Sequence, residues 1–161
     1  MFPPGRGGGR HAGNQRTARV AYRRRVPVPV TLNQPELAVV RVVNLVRAAH
    51  GLASLRPTPG LMRVARSHSA DQMRHRMVGH TASNGSSFAQ RVARAGRYRT
   101  SGEVVAWTSR RRHATARGIV RMWMASPPHR AALLDPRFRS LGVGRAHGRR
   151  GTWVTADLAG R

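Results

Sequence analysis

The chain has no cysteine, no lysine and only five acidic residues in 161. Without cysteine there is no disulfide, no thiolate metal site and no cysteine nucleophile. Without lysine, all thirty basic residues are arginine, and the formal charge is +25 with histidine neutral. Three Trp, two Tyr and three Phe are a thin supply of platforms for stacking single-stranded bases. No run reaches the roughly 18 apolar residues of a membrane span. The "VPVPV" of residues 26–30 is too short and too broken by proline to serve as the core of a signal peptide.

What is present suffices for one globular unit, since 40% of the residues are apolar. The arginines are spread along the chain, with tight runs only at 23–25, 110–112 and 149–150. That spread predicts non-specific binding of polyanions at low salt rather than a dedicated phosphate groove.

Composition shifts near residue 34. Residues 1–34 are rich in Gly, Pro and Arg, carry few large apolar residues and show no periodicity, so they read as a flexible basic tail. Residues 35–161 read as the folded domain. "QPELAVVRVVNLVRAAHG" predicts a first helix from Pro35 to a stop at Gly51. A stripe of Met62, Ala65, Ser69, Met73 and Met77 predicts a second, ending near Val78. A third is capped by Ser86 or Ser87 and stopped by Gly96, and a fourth runs from about Ala114 to Ala125, with Pro127 ending it. "GEVVAW" alternates as a strand, with Glu103, Val105 and Trp107 on one face. "LGVGRA" and "TWVTADL" read as a hairpin in which Gly142 and Gly144 leave room for a close approach. Helices followed by strands predict an α+β layer fold with an antiparallel sheet.

Eight histidines and five acids are nearly the whole stock of acid–base groups. Three stand out. His80 lies in the turn-rich "GHTASNG"; Glu103 sits on a strand face where a carboxylate needs a partner; His129 follows Pro127 and Pro128, which restrict the backbone ahead of it. Two imidazoles meeting at one point could hold Zn²⁺, with a carboxylate as third ligand or orienter, although no metal-binding spacing is present. His68 reads as a satisfied core histidine, and His75, His113 and His147 as solvated; His11 belongs to the tail. Asp71, Asp135, Asp157 and Glu103 read most simply as salt-bridge partners. No G-x-S-x-G elbow or P-loop occurs, and "RGGGR" falls in the tail.

From about Pro35 to Leu158 the order of segments resembles the CAP superfamily (cysteine-rich secretory proteins, antigen 5 and pathogenesis-related proteins), specifically its cysteine-free bacterial SCP-like branch. "VNLVRAAHGLASL" and "ARSHSADQM" resemble its first two helix signatures, and "GHTASNGSSFAQRVARAGRY" the loop that follows. "GEVVAW" stands where the family has G-E-N, and "WMASPPHRAALLDPRFRSLGVG" resembles W-x-x-S-P-G-H-R-x-N-I-L with its G-V-G strand. "TWVTADL" resembles the closing strand. The resemblance implies an α–β–α sandwich with a central cleft lined by His80, Glu103 and His129, and a place outside the cell or at its surface. Ser126 stands where eukaryotic relatives carry a second Glu. Val104, Pro128, Ala132 and Ala156 replace Asn, Gly, Asn and Gln, which would remove polar groups expected to fix the cleft.

Three functions follow as expectations. The first is a non-catalytic module whose cleft takes a lipid, glycan or peptide. The second is a metal-assisted hydrolase using His80, His129 and Glu103. The third is a polyanion binder acting through its arginines.

Overall fold

The computed structural model describes residues 33–161; the readings for residues 1–32, including "RGGGR" and His11, lie outside the described residues. The first helix, α1 (Gln34–Ala49), starts one residue ahead of Pro35 because Asn33 caps it. The Asn33 side chain accepts from the Glu36 amide at 2.9 Å, and Glu36 accepts in return from the Asn33 amide. Val39, Val40 and Val43 make its buried stripe. Two polar residues of α1 fix the chain around it. Asn44 both donates to and accepts from the backbone of Leu55, and the buried Arg47 donates to the carbonyls of Ala53, Leu133 and Asp135.

Next come β1 (Arg56–Pro57) and α2 (Pro59–His75). The second helix stops at His75, short of Val78, because Arg76 turns into the left-handed region at φ 56°. Then follow α3 (Phe88–Ala95), β2 (Thr100–Thr108), a single 3₁₀ turn (Arg111–His113) and α4 (Ala116–Ala125). Pro127 does more than end α4. It opens a further helix, α5 (Pro127–Leu133), at whose start a missing amide costs nothing. Strands β3 (Ser140–Gly148) and β4 (Gly151–Gly160) form the expected hairpin.

The sheet order is β1-β3-β4-β2. The pairs β3–β4 and β2–β4 are antiparallel, but the two-residue β1 runs parallel to β3, so the sheet is mixed at one edge. One face carries Val104, Ala106, Val143, Val154, Ala156 and Leu158, which pack with the α1 valines, Ile119, Trp123 and Leu133. This corrects the reading of two departures. Val104 and Ala156 lie opposite each other in the ladder and fully buried in this apolar layer, not in the cleft. The other face receives α2 and α3, completing an α–β–α sandwich.

The approach of α2 depends on glycine. A Cβ added at Gly142 would sit 2.1 Å from the backbone of Leu61, and one at Gly144 would sit 2.1 Å from that of Ala65. Neither obstacle is a flexible side-chain end, so a methyl there must push the helix off the sheet. Gly144→Ala is therefore expected to lower unfolding stability by about 2 kcal/mol or more, read from the urea midpoint; an unchanged midpoint would contradict this packing.

Candidate functional site

The site forms where the α2-side face of the sheet meets its β2 edge. Glu103 and Asp157 are direct partners in the β2–β4 ladder and are both buried. Glu103 finds the partner its burial requires in Arg91 of α3, whose Nη2 donates to Oε2 at 2.6 Å. The other Glu103 oxygen accepts from His80 Nδ1 at 2.9 Å. Since a carboxylate can only accept here, the proton of His80 sits on Nδ1 and its Nε2 is left for another partner.

Arg91 has a second task. Its Nη1 donates to the carbonyls of His80 and Ser86, holding both ends of the loop that carries His80. That loop is further fixed by the Thr81–Ser87 bridge, the Asp71–Ser83 bonds and the Gly79 amide bonded to Gln72 Oε1. It is thus a built support, and the half-exposed His80 ring is its outward end.

His129 arrives from the opposite layer. It sits in the first turn of α5, directly after the prolines that start that helix. Its ring faces His80 edge-on, with centroids 6.3 Å apart, while Phe88 lies 6.4 Å from His80 on another side. Burial lowers the His129 pKa from its usual value, and the neighbouring His80 lowers it further. Ser126 caps the junction of α4 and α5 through its backbone, close to His129 in the chain.

Three members of this cluster were not legible as such. His68 is buried as expected, and its Nε2 donates to the Gly79 carbonyl at 2.9 Å, but it also comes within 3.8 Å of Glu103. Burial lowers its pKa, so it is held neutral with Nδ1 unpartnered. Arg91 was one arginine among thirty. Asp157 corrects an expectation outright: among the described residues it forms no salt bridge and no N–H or hydroxyl donor reaches its buried oxygens, leaving the facing Glu103 carboxyl as the group it can share a proton with. Burial pushes its pKa well above the ordinary value, and the facing Glu103 pushes it further. By contrast, Asp71 and Asp135 are ion-pair partners as read, with Arg74 and Arg137 respectively.

As a metal site the cluster is incomplete. His80 and His129 could offer one nitrogen each, but both Glu103 oxygens are already bonded, which makes Glu103 an orienter of His80. Two ligands fall short of the three that a catalytic zinc centre takes from its protein. Among the described residues, no three His, Asp or Glu side chains are grouped to hold a metal ion.

Residues 40–157 match the sequence profile of the cysteine-rich secretory protein family, CAP. Uncharacterized protein YkwD of Bacillus subtilis (strain 168) is 31% identical over 117 residues, covering 72% of this chain. The chain spans only 44% of that relative's length. Among solved structures, an extracellular protein containing an SCP domain from Bacillus anthracis superposes with a TM-score of 0.71 at 22% identity, over 83% of this chain and 45% of its own. An outer surface protein of Borrelia burgdorferi gives 0.72 at 17% identity, over 84% of this chain and 99% of its own. At these identities the structures share the fold. Among the described residues no helix is long and apolar enough to cross a membrane.

The state of Asp157 has a measurable sign. Unfolded, it titrates near 3.8, whereas folded it keeps its proton to higher pH. The folded state then binds the extra proton, so this residue's contribution to stability falls as pH rises above about 4 and until the folded pKa is passed. Asp157→Asn keeps the neutral shape without the titration. In urea unfolding the variant should gain on the parent as the pH is raised above about 4; a difference that does not vary with pH would mean that Asp157 is ionised in the fold.

Proposed function

The chain belongs to the cysteine-rich secretory protein (CAP) family, and from that premise we propose that it is a non-catalytic binding module whose cleft grips an extended ligand between His80 and His129. The observation that carries this reading is the facing of the two rings at 6.3 Å from opposite layers of the sandwich. One ring is oriented by a buried carboxylate and the other by a proline-led helix start. Both are aromatic edges with hydrogen-bonding nitrogens, suited to the amide or hydroxyl groups of a peptide or glycan. Phe88 adds an apolar wall beside His80.

Catalysis is the weaker reading on the same geometry. The hydrolase reading needs Glu103 as a general base within reach of substrate, and Glu103 is buried and already engaged by Arg91 and His80. Asp157 lies fully buried behind it. The names of the extracellular and outer-surface relatives support a place of action outside the cell or at its surface.

The test is a binding screen of glycans, extended peptides and fatty acids against the full chain and its His80→Ala and His129→Ala variants, alongside a panel of peptide and ester substrates with and without Zn²⁺. The expected outcome is a glycan or peptide whose affinity drops at least about tenfold in each variant, roughly the value of one good polar contact, with no turnover. Affinity that survives both substitutions would put the ligand elsewhere. Turnover that needs both His80 and added Zn²⁺ would make the protein an enzyme.

A further inference from the structure

A second concave site lies along the same sheet face, away from the histidines. Arg74 and Arg76 from the end of α2 and Arg149 and Arg150 from the β3–β4 turn surround a cavity of about 640 Å³, with Met73 and Trp153 in its lining. Trp153 precedes Asp157 by four residues on β4, roughly 13 Å along the strand, so the two sites are separate.

Thirty arginines in 161 residues will cluster somewhere by chance, but four features set this group apart. The guanidiniums come from two distant segments and share one cavity of ordinary ligand size. No acidic residue lines it. The nearest on α2, Asp71, is bonded to Ser83, lies 3.5 Å from His75 and reaches Arg74 only at 3.9 Å. The side chains of Arg76, Arg149 and Arg150 have no hydrogen-bond or ion-pair partner among the described residues. Finally, Arg76 is the one non-glycine residue at positive φ among the described residues. A helix end with that backbone is ordinarily filled by glycine or asparagine, and here a long cation occupies it.

The non-polar wall is also set in place. Trp153 Nε1 donates to the Met77 carbonyl at 2.9 Å, and its ring lies 6.0 Å from that of Trp107. The end of α2, where orphan carbonyls favour cations, accounts for Arg74. It does not account for the two arginines brought in by the hairpin turn.

We infer that this cavity is a binding site for clustered phosphate groups, held by paired guanidinium forks over the Trp153 ring. The planar guanidinium offers two parallel N–H donors to phosphate oxygens, and it stays charged at any pH the protein meets. Four of them facing one cavity repel one another until an anion of several charges enters. A single phosphate would engage one or two forks; adjacent phosphates, free or displayed on a lipid headgroup, would engage all four.

The probe is inorganic tripolyphosphate, titrated calorimetrically into the full chain in moderate salt and followed in parallel by tryptophan fluorescence. Two double variants remove equal charge: Arg149→Ala/Arg150→Ala at the cavity, and Arg117→Ala/Arg121→Ala on the exposed side of α4. Affinity should fall by at least about tenfold in the first and change less than about twofold in the second. Fluorescence should respond in the parent and in the α4 variant. Arg76→Gly separates binding from folding, since it relieves the backbone: the melting temperature should hold or rise while affinity drops. Vesicles of phosphatidic acid set against phosphatidylserine distinguish a lipid headgroup from a free phosphate source. Equal losses in the two double variants, or no saturable binding, would overturn the site and leave only diffuse charge.

Discussion

The carboxylate of Glu103 is the point through which this structure is tied together. It is buried on a strand, where an unpaired charge would be prohibitive, and it is matched by Arg91 at 2.6 Å from a different element. Removing either member of such a pair leaves a stranded charge, typically at about 3–5 kcal/mol, which is a large part of the ~5–15 kcal/mol by which a domain is stable. The same guanidinium holds the two ends of the His80 loop. Fold and cleft are therefore not separable here. What satisfies the strand's charge also positions the ring that faces His129.

Asp157 shows the other side of that arrangement. Two carboxyl groups opposite each other in one ladder cannot both be charged in a medium with little water. Arg91 reaches Glu103 and forms no ion pair with Asp157. Burial and the facing Glu103 consequently both favour the protonated form of Asp157. The neutral form of His68, packed against the same carboxylate, adds no compensating charge.

Much of this was legible in the sequence, for physical reasons. Helical stripes and strand alternation record which face is dry, so the four long helices and the three long strands could be read from them. Gly142 and Gly144, spaced by two, announced a close approach, and α2 makes it. His80, Glu103 and His129 were legible by kind, as a turn-held ring, a misplaced carboxylate and a proline-led imidazole. What periodicity cannot encode is which distant residue meets which. Arg91 could not be picked out from thirty equivalents, and Asp157 resembled any acid in an arginine-rich chain. Helix α5 was hidden because proline both stops one helix and starts another. The two-residue β1 carries too few positions to show a period. Strand parity put Val104 on the face opposite Glu103, and it lies there, paired with Ala156 in the apolar layer.

The sheet's two edges differ in a way that bears on how copies of the domain meet one another. At one side β1, two residues long with Pro57 as one of them, covers only Ser140 and Leu141, so the rest of that border is β3 itself. At the other side is β2, nine residues long, and a bare edge of that length is a template for endless addition of strands. Here α3 and α5 both pack against it, bringing with them the His80 loop and His129. The elements that set His80 and His129 facing each other are thus the same ones that flank this long border, so a strand from another molecule could reach β2 only by displacing the segments that carry the two rings.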